Sequence, residues 1–513
     1  MILDEIVRRN ALRFPDKQAL QAGDFRHTWK ELDARVDRTA NALLAAGLVP
    51  GDRVALLLSN CLEYIELYFA IARSGLIAVP LNYRLTVREL EQTFSHAEPA
   101  LFVAGTEYAE TMQEIVAIFP RLRATWVVGD GNPLGAKRFD DAVSAAVETP
   151  VQVANREHDT FAIFYTSGTT GPPKGAMVSH FNLEMNSYNQ FIADGSLATD
   201  INLVATPLYH MGAVFMAVTY MMLGCTQVIL RRFEPAAWLN AMENSRATVS
   251  LLIPTMINMI LNEKNLDQFE LFSLRLIFYG GGPMPAAVLE RAISRLNCAF
   301  TQGYGLTETL EATFLVADDH ILNGTDQQRQ RLHSAGREAV GAEVRIVNDD
   351  DEPVGPGEVG EILVKSRSVI TGYWKAPEES ARVIRNGWFH TGDLGYLDED
   401  RYLFVVDRKK DMVVSGGMNI YTKEIESVLF THPAILEAAV IGLPDDEWGE
   451  VVTAVVVPRE NMELSAAEVI EYCRRSLASY KKPRRVFFHT ELPKNPSGKV
   501  LKRELRETLQ PRE

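Results

Sequence analysis

Short apolar runs alternate with helical patterns through the first 400 residues, and this alternation limits the possible folds more than any other feature of the sequence. In one such unit, an apolar run over 54–58 is followed by a helical pattern over 62–74 and a second apolar run over 76–79. Further runs of this kind occur over 101–104, 126–129 and 251–260. Such alternation predicts βαβ units around largely parallel sheets.

The stretch from Ile201 to Leu230 contains no Asp, Glu, Lys or Arg, which raises the question of a membrane span. About 20 apolar residues can cross a bilayer. Pro207 and His210 interrupt the stretch, however, and its most apolar part, 211–225, is short for a span. We therefore predict a strand, a buried helix and a second strand here, with no integral membrane segment.

After residue 340 the pattern changes to strand signals separated by turn residues, which favours antiparallel structure. The charged cluster 408–411 and a Gly-Gly pair then precede a new pattern of helix, two strands, helix and strand. We expect an α/β protein with a large N-terminal domain over 1–407, made of βαβ subdomains and a small β-barrel-like part. A hinge over 408–411 then leads to a small mobile α+β domain over 412–513.

Charge and cysteine usage narrow the classes of partner and compartment. The 513 residues contain 52 Lys and Arg against 67 Asp and Glu, a net charge of −15, which disfavours nucleic acid as a partner. The four cysteines lie far apart without metal-ligand spacing, and the acidic start of the chain is unlike a signal peptide. These features predict a cytoplasmic protein.

The clearest chemical signal is the segment 165–175, Tyr-Thr-Ser-Gly-Thr-Thr-Gly-Pro-Pro-Lys-Gly, which follows an apolar run. Glycine exposes backbone amides, hydroxyls add donors and lysine adds charge, so the segment suits a phosphate. The spacing differs from a Walker loop, which requires Gly-Lys followed by Ser or Thr. The candidate phosphate-binding residues are Thr166, Ser167, Gly168, Thr169, Thr170 and Lys174.

With four further motifs in order, the chain resembles the adenylate-forming superfamily of acyl-CoA synthetases, luciferases and peptide-synthetase adenylation domains. The motifs are Tyr-Gly-Leu-Thr-Glu at 304–308, Gly-Trp-Phe-His-Thr-Gly-Asp at 387–393, Asp-Arg-Lys-Lys-Asp at 407–411 and Pro-Lys-Asn-Pro-Ser-Gly-Lys at 493–499. The resemblance covers nearly the whole chain. It implies ATP and coenzyme A as substrates and Mg²⁺ as the metal.

The resemblance implies two reaction steps, in which a carboxylate attacks the α-phosphate of ATP and a thiol then displaces AMP. The first step brings two anions together, so cations must offset their charge. By similarity, Glu308 helps to hold the metal and Thr307 contacts the α-phosphate. Lys499 is expected to bridge the α-phosphate and the attacking carboxylate.

The resemblance also implies how the nucleotide is held. Asp393 is expected to accept hydrogen bonds from the ribose hydroxyls, and Arg408 to contact the same sugar. Tyr304, followed by Gly305, is expected to stack on adenine. The glycines Gly280, Gly281 and Gly282 allow the backbone to lie close to the base and to the acyl chain.

For the second step, the family rotates its small domain. Lys410 matches the hinge position, where an exposed charged residue is compatible with a change in backbone angles. Gly416 and Gly417 are then expected to line the tunnel for the pantetheine arm of coenzyme A.

The acid is less defined. His210 matches a position near the substrate carboxylate, and eight of the 15 methionines fall between Met211 and Met284, near the segments that border the acyl site in relatives. Lys and Arg are absent from 201–230, 278–289 and 299–316, which disfavours a dicarboxylic acid. We expect a medium-to-long-chain fatty acid, with an aryl or alicyclic acid as the alternative.

Other readings stay open at this point. One is an adenylation enzyme that loads a separate carrier protein. Another is a nucleotide-binding regulatory protein without catalytic activity. No residue of the sequence indicates the oxygen chemistry of a luciferase. A homodimer is one expected assembly. The acid, the acceptor, the oligomeric state and the pathway are not fixed by the sequence.

Overall fold

The computed structural model describes residues 1–131, 135–166, 173–282, 284–460, 462–494 and 500–510. The chain divides into two compact units. The first comprises Met1–Val344 and Val364–Phe389, and the second comprises Arg345–Leu363 and His390–Glu513. The domain boundary at 408–411 stays a prediction.

The strands of the first 340 residues are short, as expected for βαβ units. They are β1 (Gln18–Ala22), β2 (Phe25–Thr28), β3 (Arg53–Leu57), β4 (Ile77–Pro80), β5 (Leu101–Gly105), β6 (Ala124–Val128), β7 (Lys137–Arg138), β8 (Thr160–Thr166), β9 (Lys174–Ser179), β10 (Ile201–Val204), β11 (Thr226–Ile229), β12 (Val249–Leu252), β13 (Leu276–Gly280), β14 (Ala299–Leu306), β15 (Leu310–Leu315) and β16 (Arg337–Glu338).

Helices follow most of these strands. They are α1 (Asp4–Arg13), α2 (Trp29–Ala45), α3 (Leu62–Arg73), α4 (Val87–Ala97), α5 (Ala109–Ile118), α6 (Phe139–Ser144), α7 (His180–Asp194), α8 (Met211–Met222), α9 (Pro235–Ser245), α10 (Pro254–Leu261), α11 (Ala286–Leu296) and α12 (Asp326–Arg331). Capping boxes fix several starts, such as Thr28 before α2 and Ser179 before α7.

Two sheets organise the first unit. One has the strand order β7-β6-β5-β3-β4-β8-β9, with parallel pairing up to the antiparallel hairpin β8–β9. The other has the order β16-β15-β14-β13-β12-β10-β11-β1-β2, and its strands from β14 through β10 to β1 pair in parallel. The predicted α/β class is confirmed.

The uncharged stretch 201–230 forms β10, α8 and β11, as predicted. Helix α8 has 12 residues and is mostly buried, so the apolar side chains serve the protein core. Within the described residues, each helix is too short or too polar to cross a bilayer.

The remaining elements include antiparallel pairs, as predicted after residue 340: Ile384–Arg385 pairs with Trp388–Leu397, and Trp388–Leu397 pairs with Leu403–Arg408. The elements are β17 (Ala342–Val347), β18 (Gly360–Ser366), α13 (Pro377–Val383), β19 (Ile384–Arg385), β20 (Trp388–Leu397), β21 (Leu403–Arg408), β22 (Val413–Ser415), β23 (Met418–Ile420), α14 (Thr422–Phe430), β24 (Ile435–Asp445), β25 (Gly449–Pro458), α15 (Ala466–Ser476), β26 (Arg485–Phe488) and α16 (Lys502–Leu509).

The second unit contains a sheet with the order β23-β22-β25-β24, in which β26 also pairs with β25. Helix α14, strands β24 and β25 and helix α15 with its capping box at Ser465 agree with the sequence pattern. The sequence reading ended on a strand and therefore missed α16. This helix is dominated by charged residues and buries one described side chain, Leu505.

Candidate functional site

Strands β13 and β14 bring several candidate nucleotide-binding residues to one edge of the nine-stranded sheet. The two strands are parallel, and Gly280 pairs with Gly303. Tyr304 and Gly305 follow Gly303 in β14, while Gly281 and Gly282 follow the end of β13. In open α/β sheets, ligands bind outside the carboxyl ends of parallel strands, so the predicted grouping agrees with the topology.

Two glycines at this edge, Gly280 and Gly305, are required by close backbone approach. A Cβ atom at Gly280 would lie 2.7 Å from the carbonyl oxygen of Gly303, and one at Gly305 would lie 1.7 Å from that of Leu310. Gly281 has a φ of +76° and Gly282 is exposed. The absence of side chains leaves backbone surface open to a flat ligand.

The turn between β14 and β15 carries Thr307 and Glu308, both half-buried. The hydroxyl of Thr309 accepts a hydrogen bond from the Leu306 amide at 2.9 Å and fixes the turn. The backbone carbonyl of Glu308 accepts one from Ile370 at 2.9 Å. These contacts hold the turn in one conformation.

Tyr373 is a site residue that the sequence reading missed. Its hydroxyl donates a hydrogen bond of 2.8 Å to Oε1 of Glu308. Burial, together with the neighbouring Glu308, raises the pKa of Tyr373 well above its usual value, so the hydroxyl keeps its proton and acts as a donor. The only available sequence signal was the Gly-Tyr-Trp triplet at 372–374, which has no specific spacing.

The phosphate-loop candidates lie in the hairpin β8–β9, where Thr166 pairs with Lys174. The Lys174 ammonium forms an ion pair with Glu379 and lies 5.5 Å from the centre of the Tyr373 ring. Hydrogen bonds from Arg382 and then Lys174 lower the pKa of Glu379 to about 2. The loop lysine is thus close to the Glu308 group through Tyr373.

The predictions for Ser167, Gly168, Thr169, Thr170 and Lys499 concern residues outside the described ranges.

His210 is the N-cap residue of α8 and follows the carboxyl end of β10. Its ring packs against Tyr209, with centroids 4.4 Å apart. Burial first, and the charge of Arg84 second, lower the pKa of His210 to about 4, so the imidazole is neutral at pH 7. Arg84 is a cation from outside the segments that the sequence reading searched.

In the second unit, the ribose candidates Asp393 and Arg408 are paired directly. They face each other across β20 and β21, and Nε of Arg408 lies 2.7 Å from Oδ1 of Asp393. Asp393 is 3% exposed, and its amide donates to the Thr391 hydroxyl at 3.1 Å. The guanidinium therefore fixes the carboxylate in place.

The hinge and tunnel candidates lie beyond β21. Lys410 is exposed. Gly416 and Gly417 form the turn of the β22–β23 hairpin, with φ values of +57° and +77°. A Cβ at Gly416 would lie 2.8 Å from the indole of Trp448. Both positions therefore require glycine: Gly417 because of its positive φ, and Gly416 because of its positive φ and the nearby indole.

The chemistry of this donor set fits Mg²⁺ held mainly by a nucleotide. Mg²⁺ is usually bound through one or two carboxylates together with phosphates and water, and Glu308 provides one oriented carboxylate. The described part of the chain contains no group of three or more His, Cys, Asp or Glu residues arranged to hold a metal. Such a metal would depend on the phosphates for most of its ligands.

Comparison with known proteins gives consistent matches over nearly the whole chain. A family model described as AMP-binding enzyme matches residues 7–374, and one described as AMP-binding enzyme C-terminal domain matches 424–499. The chain is 39% identical over 499 residues to a feruloyl-CoA synthase from Amycolatopsis sp, covering 97% of each protein. It is 34% identical over 507 residues to the long-chain-fatty-acid–CoA ligase FadD13 of Mycobacterium tuberculosis, covering 98% of this chain and 97% of that one.

Among solved structures, the ATP-bound MatB from Rhodopseudomonas palustris aligns with a TM-score of 0.88 at 33% identity, covering 99% of each chain.

Proposed function

Because the chain belongs to the AMP-binding enzyme family and is an AMP-forming acid–thiol ligase, we propose that it joins a monocarboxylic acid to coenzyme A. A carboxylate oxygen bonds to the α-phosphorus of ATP while the bond to pyrophosphate breaks. The thiol sulfur then bonds to the acyl carbon, AMP leaves, and the thiol proton passes to solvent. The observation that carries this proposal is the group formed by Glu308, Tyr373 and Lys174.

This group suits the charge problem of the first step. The Lys174 ammonium can contact phosphate oxygens, and Tyr373 orients the Glu308 carboxylate toward a metal. When bound, Mg²⁺ supplies positive charge to the phosphates. Lys499 is proposed to offset the negative charges of the carboxylate and the α-phosphate as they approach each other. Thr307 is proposed to donate a hydrogen bond to the α-phosphate.

Nucleotide recognition is proposed to use pre-positioned groups. Tyr304 stacks on adenine beside the bare backbone of Gly280, and the paired Asp393 and Arg408 hold the ribose. Because Arg408 already fixes Asp393, the carboxylate loses little freedom when it accepts the sugar hydroxyls.

His210 is proposed to lie near the acid. A neutral imidazole can donate a hydrogen bond to the substrate carboxylate without forming an ion pair. An ion pair would stabilise the bound substrate more than the transition state and slow the reaction. The low pKa given by burial keeps this donor neutral over the working pH range.

The hinge at Lys410 and the tunnel at Gly416 and Gly417 are proposed to serve the second step. Reorientation of 412–513 about the hinge would let the pantetheine thiol replace pyrophosphate. The turn formed by the two glycines presents backbone without side chains to the thiol arm.

Two acid classes remain as candidates. The methionines near α8 and the lack of cations in the three searched segments support a medium-to-long-chain fatty acid, although Arg84 weakens the argument against a second carboxylate. The 39% identity to a feruloyl-CoA synthase supports an aryl acid instead. Mass-spectrometric detection of acyl-CoA products from a mixed pool of acids separates the two.

The reaction itself is tested by acid-dependent exchange of labelled pyrophosphate into ATP. Lys499→Ala should reduce exchange roughly a hundredfold, the cost of removing one transition-state donor, while largely sparing thioester formation from supplied acyl-AMP. Equal loss in both half-reactions would contradict the role of Lys499. ATP binding without exchange across many acids would instead indicate a sensor, and transfer only to a carrier protein would indicate a loading enzyme.

A further inference from the structure

We propose that Glu311 selects the acid, by accepting a hydrogen bond from a donor that the acyl group carries away from its carboxylate. A hydroxyl, a ring N–H or an amino group would serve as this donor. The inference deepens the proposed function and rests on it. It concerns the acyl group of the substrate and leaves the two reaction steps unchanged.

The position of the carboxyl group is fixed by an absent side chain. A Cβ atom at Gly303 would lie 2.6 Å from Oε2 of Glu311 and 2.5 Å from Cζ of Phe278. The carboxyl group and the phenyl ring therefore share the space above Gly303. This space adjoins Gly280, which pairs with Gly303, so Glu311 lies beside the candidate site.

One oxygen of this carboxyl group lacks, in the described part of the chain, the partner that a buried polar atom requires. Oε2 of Glu311 is buried and has no hydrogen-bond partner within the described residues. Burial alone raises the pKa of Glu311 to about 7. Buried polar atoms are nearly always hydrogen-bonded, and an unmade bond costs stability. A ligand that supplies a donor would remove this cost.

The backbone around Glu311 is strained in a way that sets its direction. Leu310 adopts a φ of +52°, and the register of β14 and β15 shifts between Tyr304 and Gly305. Bulges next to active sites re-aim side chains, and left-handed non-glycine residues cluster at functional sites. Gly305 makes the arrangement possible, because its missing Cβ leaves room for the Leu310 carbonyl.

The carboxyl group faces the side of the sheet where α8 begins. Leu251 pairs with Phe278 in neighbouring parallel strands, so both side chains point to the same face. A Cβ at Gly212, in the first turn of α8, would lie 3.5 Å from Leu251. His210, the candidate contact of the substrate carboxylate, precedes Gly212 by two residues. The chain thus places Glu311 and the start of α8 on one face.

The adenine amino group is the competing donor. Tyr304, the proposed stacking residue, follows Gly303 directly, and successive residues of a strand point to opposite faces. The space shared by Glu311 and Phe278 is on the Gly303 face. The acyl group is therefore the better partner for Glu311.

The test compares matched pairs of acids in pyrophosphate exchange: 4-hydroxycinnamate with cinnamate, and 12-hydroxydodecanoate with dodecanoate. The wild-type protein should prefer the hydroxylated member of at least one pair by tenfold or more in kcat/KM. Glu311→Leu should abolish this preference, whereas Glu311→Gln, which keeps an acceptor oxygen, should retain most of it. Glu311→Met serves if Glu311→Leu does not fold.

The control is Thr313→Val, which removes a buried hydroxyl two residues along the same strand and should leave the preference unchanged. The inference is overturned if the wild-type protein prefers the unsubstituted acids, or if Glu311→Leu keeps the preference. A change confined to the KM for ATP would also overturn it, because Glu311 would then serve the nucleotide. Exchange with none of the acids would overturn the proposed function as well.

Discussion

The guanidinium of Arg506 lies 3.0 Å from a carboxylate oxygen of Asp411. This ion pair ties α16 to the segment predicted to be the hinge. Helix α16 begins three residues after Lys499 along the chain, so this ion pair lies close in sequence to the proposed catalytic lysine. Lys502, in the first turn of α16, forms an ion pair of 2.7 Å with Glu426 and so links α16 to α14 as well.

Arg506→Ala should therefore reduce adenylate formation by about tenfold, because the half-buried ion pair that joins α16 to the predicted hinge is worth roughly 1–2 kcal/mol. Pyrophosphate exchange measures this loss, and thioester formation from supplied acyl-AMP should change less. Arg503→Ala is the matched control, since its pair with Glu507 is exposed on the same helix. Equal loss in the two variants would show that the tie to Asp411 has no special role.

Lys410→Pro should block thioester formation while leaving pyrophosphate exchange in place. Proline fixes φ near −65° and prevents the backbone change expected of a hinge. The two half-reactions are measured separately, with acyl-AMP supplied for the second. Lys410→Ala removes the side chain without restricting the backbone and should spare both steps. If exchange falls as far as thioester formation, Lys410 is not the hinge.

Tyr373→Phe should raise the Mg²⁺ concentration needed for half-maximal exchange by about tenfold, the equivalent of one lost hydrogen bond to a charged group. The variant removes the donor that orients Glu308. Tyr165→Phe is the control, because it removes a hydrogen bond of 2.8 Å to His96 instead. An unchanged Mg²⁺ requirement in Tyr373→Phe would argue against Glu308 as the metal-holding carboxylate.

The stability of the protein should decline as the pH rises from about 4.5 to 7, in part through Glu311. Its pKa is raised to about 7 in the folded protein, so the folded state holds this proton more tightly than the unfolded chain does. A group of this kind loses its stabilising contribution as the pH rises through that window. Deprotonation should cost the folded state on the order of 3 kcal/mol.

Glu311→Gln removes this titration. Denaturant unfolding at pH 5 and pH 8 should show the variant gaining stability relative to the wild-type protein at the higher pH. Glu290→Gln, at an exposed position of α11, should show no such change. A parallel pH dependence in Glu311→Gln and the wild-type protein would mean that Glu311 is charged in the folded state.

Local patterns were sufficient to predict much of the fold. The unit β3–α3–β4 and the strand–helix–strand over 201–230 follow from apolar runs and their lengths, which are properties of adjacent residues. Parallel pairing then places Gly280 and Tyr304 at one edge, because strands of a parallel sheet end on the same side. The roles of all the site residues, including Gly280 and Tyr304, stay predictions.

Contacts between distant residues could not be read in this way. Tyr373 is 65 residues from Glu308 and Glu379 is 205 residues from Lys174, and no period or spacing links them. Helix α16 was missed because its charged composition gives a weak apolar pattern. Glu311 was missed because the search of the acyl segments considered cations and not an unpaired carboxyl group.

The ion pair between Lys174 and Glu379 changes how the capture of a polyphosphate should be understood. The lysine already has an internal counterion, so a nucleotide that binds Lys174 as proposed would have to replace a carboxylate that belongs to the protein. Binding then replaces one ion pair of Lys174 with another, and fewer salt ions are released from the lysine. Added salt should consequently weaken nucleotide binding less steeply than it would at an unoccupied lysine, because it screens the competing carboxylate as well.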